Sequence, residues 1–225
     1  MKKYVTAKKK FLGFVSDMDG VVADTEELWF AGTKNFLQQF GISYSRDEHR
    51  QYVGRPPVED IQMFREKYGL SLSEKDALIA RQNEVMAISS TGIKLNDGYL
   101  DLLLILEKNR IKISLASSSP QDIINKILDA TKIRRQFTSI NSAEVFGSKT
   151  KAYLAATKSM HLKPRDCFAL EDSLSGVMAA KEAGLYCIAV PNQFLNGADF
   201  SAADEVHKTI PNMLQNSTMI RSVRK

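Results

Sequence analysis

The chain of 225 residues has only two cysteines, three histidines and one tryptophan, and it contains no apolar run long enough to span a bilayer. Cys167 and Cys187 each sit inside an apolar stretch, where the ordinary state is a packed thiol. Their spacing suits neither a disulfide framework nor a zinc or redox site, so a reducing compartment, the cytoplasm, is expected. The N-terminus opens on lysines without a continuous apolar segment or a small-residue cleavage site behind them, which speaks against a secretory signal. His49, His161 and His207 are scattered and are expected to be structural or exposed. Internal repeats and low-complexity tracts are missing too, which excludes solenoids and disordered arrays.

The formal charge is +5, but it is concentrated at the ends. Lys2, Lys3, Lys8, Lys9 and Lys10 at one end and Arg221, Arg224 and Lys225 at the other supply eight cations, more than the whole excess. The body between them is mildly acidic, so the tails read as solvated ends and no nucleic-acid or membrane partner is expected. With 44% hydrophobic and 25% charged residues the chain is an ordinary globular one, long enough for one substantial core and a smaller appended unit.

What is present centres on Phe11 to Thr25, FLGFVSDMDGVVADT. The apolar start reads as a short strand buried on both faces of a parallel sheet. Asp17 and Asp19 follow where that strand ends, and Gly20 allows the chain to turn sharply beside them. Residues i and i+2 of an extended segment project the same way, so the two carboxylates converge. Asp-x-Asp-Gly is also an ordinary polar turn. If the acids do converge, a hard divalent cation, Mg²⁺, would offset their repulsion and leave positions open for a phosphorylated ligand.

Beyond this strand the spacing predicts helices over 25–40, 57–68 and 73–89, the last opened by Ser73 with Asp76 in a capping-box arrangement. No strand is expected between 25 and 93. A helical block placed directly after the first strand cannot lie within the sheet, so residues 23–96 are expected to form an all-helical cap above that strand's carboxyl end. Hinges are expected near 22–25 and 93–98, with Asn96-Asp97-Gly98 as a turn. Residues 1–22 and 97–225 would then form the core. Helix and strand alternate there: helix 99–109, strand 111–116, helix 120–131, strand 137–140, helix 151–160, strand 167–170, helix 176–183 and strand 186–190. Such alternation predicts an α/β fold with a doubly wound parallel sheet, which binds ligands at the carboxyl ends of its strands.

Three further segments reach those ends. Ser117 to Ser119 follow the second core strand, where hydroxyls and the backbone N–H groups of a helix N-terminus form either an anion cradle or simple capping. Lys149 stands just before a predicted helix, with Lys151 as the second choice for a cation facing the acids. Glu171 and Asp172 end the strand CFALED, and burying adjacent acids without a partner is costly.

Together the four segments resemble the motifs of the haloacid dehalogenase superfamily of phosphotransferases, over nearly the whole chain. Asp17-Met18-Asp19-Gly20-Val21-Val22 followed by Asp24-Thr25 is similar to its first motif, Ile111 to Ser117 to its second, and Glu171-Asp172-Ser173 with Gly176 to its fourth. The lysine segment departs from the usual Lys-Pro-x-Pro-Asp, reading Lys149-Thr150-Lys151-Ala152. The resemblance implies that Asp17 is the nucleophile, Asp19 the general acid and base, and Ser117 the phosphoryl-binding hydroxyl. It also implies that Lys149 is the balancing cation, and that Asp172 and Asp17 hold Mg²⁺ with the backbone carbonyl of Asp19, Glu171 supporting them. Gly20 and Ser118 are expected to touch substrate, as is Arg55 of the Gly54-Arg55 pair in the cap.

The expected activity is a Mg²⁺-dependent phosphatase acting on a small phosphorylated metabolite, a sugar phosphate, through an aspartyl-phosphate. Asp24 to Trp29 resembles phosphatases of hexose or deoxyhexose phosphates. A mutase of the β-phosphoglucomutase type is the alternative, although that enzyme's cap helix carries a His where Trp29 stands. A non-catalytic binding module is the alternative from another class. The chain is expected to act as a monomer on a small-molecule substrate.

Overall fold

The computed structural model describes residues 10–88 and 93–223. The basic ends other than Lys10 and Arg221 lie outside the described residues, as does Ser89 at the end of the expected third helix. In chain order the elements are β1 (Gly13–Ser16), α1 (Glu26–Gln38), α2 (Arg46–His49), α3 (Pro57–Tyr68), α4 (Glu74–Ile88), α5 (Tyr99–Lys108), β2 (Lys112–Ser117), α6 (Gln121–Thr131), β3 (Ile140–Ser142), α7 (Ala143–Phe146), α8 (Lys149–Ser159), β4 (Cys167–Glu171), α9 (Leu174–Glu182), β5 (Tyr186–Ala189), β6 (Glu205–Val206), α10 (Ile210–Asn216) and α11 (Thr218–Val223).

The six strands form one sheet in the order β3-β2-β1-β4-β5-β6, with every pair parallel. Strand β1 is central, flanked by β2 and β4, and all four of its residues are buried. Helices cover both faces, as the alternating pattern requires. On one face Phe14 and Phe168 pack with ring centroids 4.9 Å apart in a cluster that includes Tyr99, Leu102 and Ile124. On the other Val15, Ala169 and Cys187 pack beneath Tyr153 and Ala180. Full burial of one such Phe is worth about 1.5–3 kcal/mol. Both cysteines are buried free thiols, as expected.

Helices α1 to α4 build a separate apolar cluster of Phe36, Leu37, Tyr44, Tyr52, Ile61 and Phe64. The two chain segments leading to and from them run side by side. Ala23 bridges Leu95, the Asn96 N–H donates to Val22 O at 2.9 Å, and the Asn96 side chain donates to Gly20 O at 2.7 Å. Ser73 caps α4 by accepting from Asp76 N at 3.1 Å, and its hydroxyl donates to the Asp76 carboxylate. Asp is too short to complete the reciprocal backbone contact, so it closes the turn through the hydroxyl instead.

Three expectations need correction. The strand expected at 137–140 runs over Ile140–Ser142 instead, after a 3₁₀ turn at Arg134–Gln136. Its polar residues are buried and bonded, Asn141 donating to Leu115 O at 2.8 Å and Ser142 capping α7, so apolar patterning did not mark them. Helix α8 begins at Lys149 rather than 151, because Ser148 accepts from Lys151 N at 3.2 Å and moves the start upstream. Likewise α9 starts at Leu174, capped by Ser173 through Gly176 N. The two-residue strand β6 and helices α10 and α11 carry too little periodicity to be read from sequence. Among the described residues no helix is long and apolar enough to cross a membrane.

Candidate active site

The carboxyl ends of β1, β2 and β4 and the first turn of α8 meet at one point. Asp17 leaves β1 buried, with its N–H donating to Leu170 O at 3.1 Å. Lys149 is 8% exposed, and its Nζ lies 2.8 Å from Asp17 Oδ1 and 2.9 Å from Glu171 Oε1. Glu171 is fully buried and also accepts the Tyr153 hydroxyl. Asp172 accepts from Asn192 Nδ2 at 2.9 Å. Lys151, the second choice, is exposed.

Gly20 explains how closely these parts pack. Its φ of +72° is one that L side chains rarely adopt, and a Cβ there would fall 1.7 Å from Asp172 Oδ2. Any side chain at this position would displace an acid from the cluster.

One oxygen from each of Asp17, Glu171 and Asp172 lies within 4.8 Å of the others, and all three residues are buried. Asp17 Oδ1 has the Lys149 charge beside it but no directed hydrogen bond among the described residues. Burial, followed by Glu171, pushes the Asp17 carboxyl well above the usual range, with Lys149 pulling the other way. Burial, followed by Glu26 and Glu171, does the same to Asp172. Burial opposes the Lys149 charge, but Asp17 and Glu171 outweigh it and raise its pKa, so the ammonium persists. One cation does not satisfy three buried carboxylates. The oxygen-only donor set, its spacing and its uncompensated charge fit a hard divalent ion.

Asp19 is not part of this trio and has its own set of donors. Its Oδ1 accepts from Thr25 Oγ1 at 2.5 Å and from Trp29 Nε1 at 3.1 Å, both on the helical lobe's side. Its Oδ2 accepts from Ser119 Oγ at 2.6 Å and Ser117 Oγ at 3.2 Å, at the end of β2. The Ser118 hydroxyl has no partner among the described residues. Asp17, Asp19, Ser118, Ser119, Lys149 and Asp172 line one narrow pocket of about 30 Å³, roofed by Glu26, Trp29, His49, Asp60 and Arg81. Gly54, Arg55, Ser118 and Lys149 also face an adjoining open cleft of about 640 Å³. Arg55 is half-exposed there, its Nε donating to Gln51 O at 2.8 Å and its Nη1 3.9 Å from Glu59.

A family model for haloacid dehalogenase-like hydrolases matches residues 14–190. The chain belongs to that family. This hydrolase is 30% identical over 178 residues to a phosphorylated carbohydrates phosphatase of Thermotoga maritima, covering 76% of this chain and 81% of that one. It is 30% identical over 204 residues to the β-phosphoglucomutase of Bacillus subtilis, covering 82% and 86%. Its fold superposes on CbbY from Rhodobacter sphaeroides in complex with phosphate with a TM-score of 0.82, at 25% identity, covering 90% and 96%.

Several of the residues that hold this site carry little or no signal in the sequence. Ser119 gives Asp19 a shorter hydrogen bond than Ser117 does, and the serine run was its visible signal. Tyr153 lies one helical turn after Lys149, and i,i+4 spacing places both against Glu171. Asn192 comes from the loop after β5 and carried no local signal. Arg81 and Asp60 form a buried pair in the lobe that a helical pattern alone does not distinguish from a solvated one.

Proposed function

We propose that this hydrolase is a Mg²⁺-dependent phosphatase of a small phosphorylated metabolite, a sugar phosphate, working through a phosphoryl group carried on Asp17. The observation that supports it most is the convergence of Asp17, Lys149, Glu171 and Asp172 with Asp19 two residues along and both serines on it. Asp17, Asp172 and the backbone carbonyl of Asp19 would hold the ion, with Glu171 supporting. Once bound, Mg²⁺ supplies positive charge to the phosphoryl oxygens and quenches repulsion between that group and the acids.

Asp17 attacks phosphorus in line as the ester P–O bond breaks, and the departing alkoxide takes a proton from Asp19. Asp19 then removes a proton from water, which attacks the same phosphorus, breaking the acyl-phosphate bond and restoring the Asp17 carboxylate. Lys149 and the Ser117 hydroxyl stabilise charge on the transferring group. The proposed division places residues 1–22 and 97–225 in the core and residues 23–96 in a cap. A space of about 30 Å³ holds little more than a water, whereas sites for small ligands run to about 300 Å³ and more. Opening of the cap for entry and closing for chemistry would accommodate such a ligand.

Phosphate release from a panel of sugar phosphates, with Mg²⁺ and with EDTA, tests this reading, and Asp17→Asn should abolish it while the fold persists. The resemblance to β-phosphoglucomutase keeps a mutase as the second reading. It prevails if β-glucose 1-phosphate becomes glucose 6-phosphate faster than free phosphate appears.

A further inference from the structure

The mildly acidic balance of the body averages over two ends of the sheet that the fold keeps apart. Asp17, Asp19, Glu171 and Asp172 stand at the carboxyl ends of the strands. The amino ends carry the opposite sign. Lys108 and Arg110 precede β2, Lys132 and Arg135 precede β3, and Lys163 and Arg165 precede β4, all six exposed. Backbone bonds hold these connections side by side: Leu12 N–H donates to Asp166 O at 2.9 Å, Lys112 N–H to Leu12 O at 3.0 Å, and Thr138 N–H to Ile113 O at 2.6 Å. Neighbouring strands lie about 4.8 Å apart, inside the screening length of physiological salt, so the cations act on a partner as one field. On the same edge Arg134 is matched by Asp129 at 2.9 Å and Lys181 by Asp204 at 2.6 Å, whereas the six have no ion-pair partner among the described residues.

Helix C-termini favour cations, and α5, α6 and α8 end on this edge. That accounts for a cation at each helix end, but not for Arg135, Lys163 and Arg165 further along. Backbone conformation gives an independent sign. Among the described residues the non-glycine residues with positive φ are Arg110, Lys132 and His161, at 56°, 59° and 57°, and each lies just past one of these helices. Glycine is the usual occupant of such a position, and Gly184 fills it after α9 with a φ of +84°. At the other three, a basic side chain stands where glycine would be less strained.

We infer that this amino-edge face docks on an anionic lipid surface, leaving the Asp17 cleft at the other end of the strands open to water. Charge complementarity calls for a polyanion, and two features of the face favour a bilayer over nucleic acid. Leu12, 42% exposed, stands at the head of the central strand among the cations, where it can enter the headgroup layer. The rings nearest to it, Phe11 and Tyr186, are buried and half-buried, so bases find no exposed ring to stack on. The chain reaches this face through the exposed Lys10, with Lys2, Lys3, Lys8 and Lys9 ahead of it in the sequence. No residue of the face belongs to the candidate active site, so lipid docking stands apart from the phosphatase reading.

Co-sedimentation of the full chain with phosphatidylcholine vesicles, with and without phosphatidylserine, tests this. Binding is expected only to the anionic vesicles at about 0.1 M salt, and should be lost at about 1 M, where the screening length falls to about 3 Å. Asparagine tolerates positive φ, so Arg110→Asn combined with Lys132→Asn removes two cations without adding strain. That double variant should melt cooperatively near the wild-type temperature and bind anionic vesicles about 25-fold more weakly, about fivefold for each cation. Arg65→Gln combined with Lys75→Gln, at two exposed positions of the helical lobe, lowers the net charge equally and should bind as the wild type does. Absence of binding to anionic vesicles overturns the inference, as does equal weakening in the two double variants, which would make net charge the cause. Wild-type binding by the Arg110 and Lys132 double variant would assign attachment to the lysines ahead of Lys10 and also overturn it. Tighter binding to duplex RNA than to the vesicles in the same salt, weakened by the same two substitutions, would make nucleic acid the partner and overturn the lipid surface.

Discussion

Trp29 Nε1 donates to Asp19 Oδ1 at 3.1 Å, so a helix of the lobe holds the carboxylate proposed to move protons in the core. Thr25 grips the same oxygen, and Ser117 and Ser119 grip the other. Trp29→Phe keeps a ring beside Arg81 but deletes this donor. A hydrogen bond to a charged group is worth about 1.5–3 kcal/mol, so kcat is expected to fall by roughly 10-fold or more, with a smaller change in KM. Steady-state kinetics on a sugar phosphate checks this, and an unchanged kcat would remove Trp29 from the positioning of Asp19.

The crowding of Asp17, Glu171 and Asp172 makes a prediction that needs no turnover. An ion that binds only the folded chain stabilises it by about 2.7 kcal/mol at a concentration 100 times its Kd. Mg²⁺ should raise the melting temperature of the wild type, and EDTA should reverse the gain. Asp17→Asn and Asp172→Asn relieve the repulsion, so both variants should melt higher than the wild type in EDTA and gain less from Mg²⁺. Equal Mg²⁺ gains in all three proteins would show that the ion binds elsewhere.

Glu26 gives a pH dependence of definite sign. Burial, followed by the charge of Asp19, raises its carboxyl from 4.5 to about 8 in the folded chain. Between those values the folded state keeps a proton that the unfolded state releases, so its contribution to stability falls as pH rises, with a slope of at most about 1.4 kcal/mol per unit. Glu26→Gln cannot release that proton. The stability of Glu26→Gln relative to wild type should therefore grow from pH 5 to pH 8 and then level off. Denaturant titrations at pH 5, 6.5, 8 and 9 measure it, and a flat difference would place the Glu26 titration outside this window.

The sequence carried the parts of this molecule that local chemistry dictates. An uncharged run ending in Asp17 and Asp19 can be read as a buried strand with acids at its mouth, and so can CFALED ending in Glu171 and Asp172. The helical pattern of 57–68 coincides with α3, because Pro57 starts it and Gly69 ends it in a left-handed conformation. The parts not legible were those whose meaning is tertiary. Asn141 and Ser142 look like loop residues until their hydrogen bonds to neighbouring backbone are seen. Arg81 falls on a helix whose apolar face is weakly marked, and only folding brings Asp60, 21 positions earlier, to its side. Ser148 hid the start of α8 because a serine between Gly147 and Lys149 reads equally well as loop.

The Gly54 carbonyl accepts the Ser175 hydroxyl at 2.8 Å across the cleft, so the proposed closure of the lobe can be tested at Gly54. Its φ is +77°, and a Cβ there would lie 2.3 Å from Ser173 Oγ and 2.8 Å from Ser175 Oγ. Gly54→Ala should hold the lobe away from the core, and Trp29, the chain's single tryptophan and 6% exposed, reports on that separation. Gly69→Ala is the matched control: its φ is +63°, but nothing lies within 4 Å of the added Cβ, so it bears similar backbone strain without the collision. Acrylamide quenching of Trp29 should increase in Gly54→Ala and stay at the wild-type level in Gly69→Ala. Activity on a sugar phosphate should fall by about 10-fold or more only in the former, since an open site admits water and misplaces Asp19. Equal quenching in the two variants would mean that backbone strain at Gly54, not contact with Ser173, limits closure.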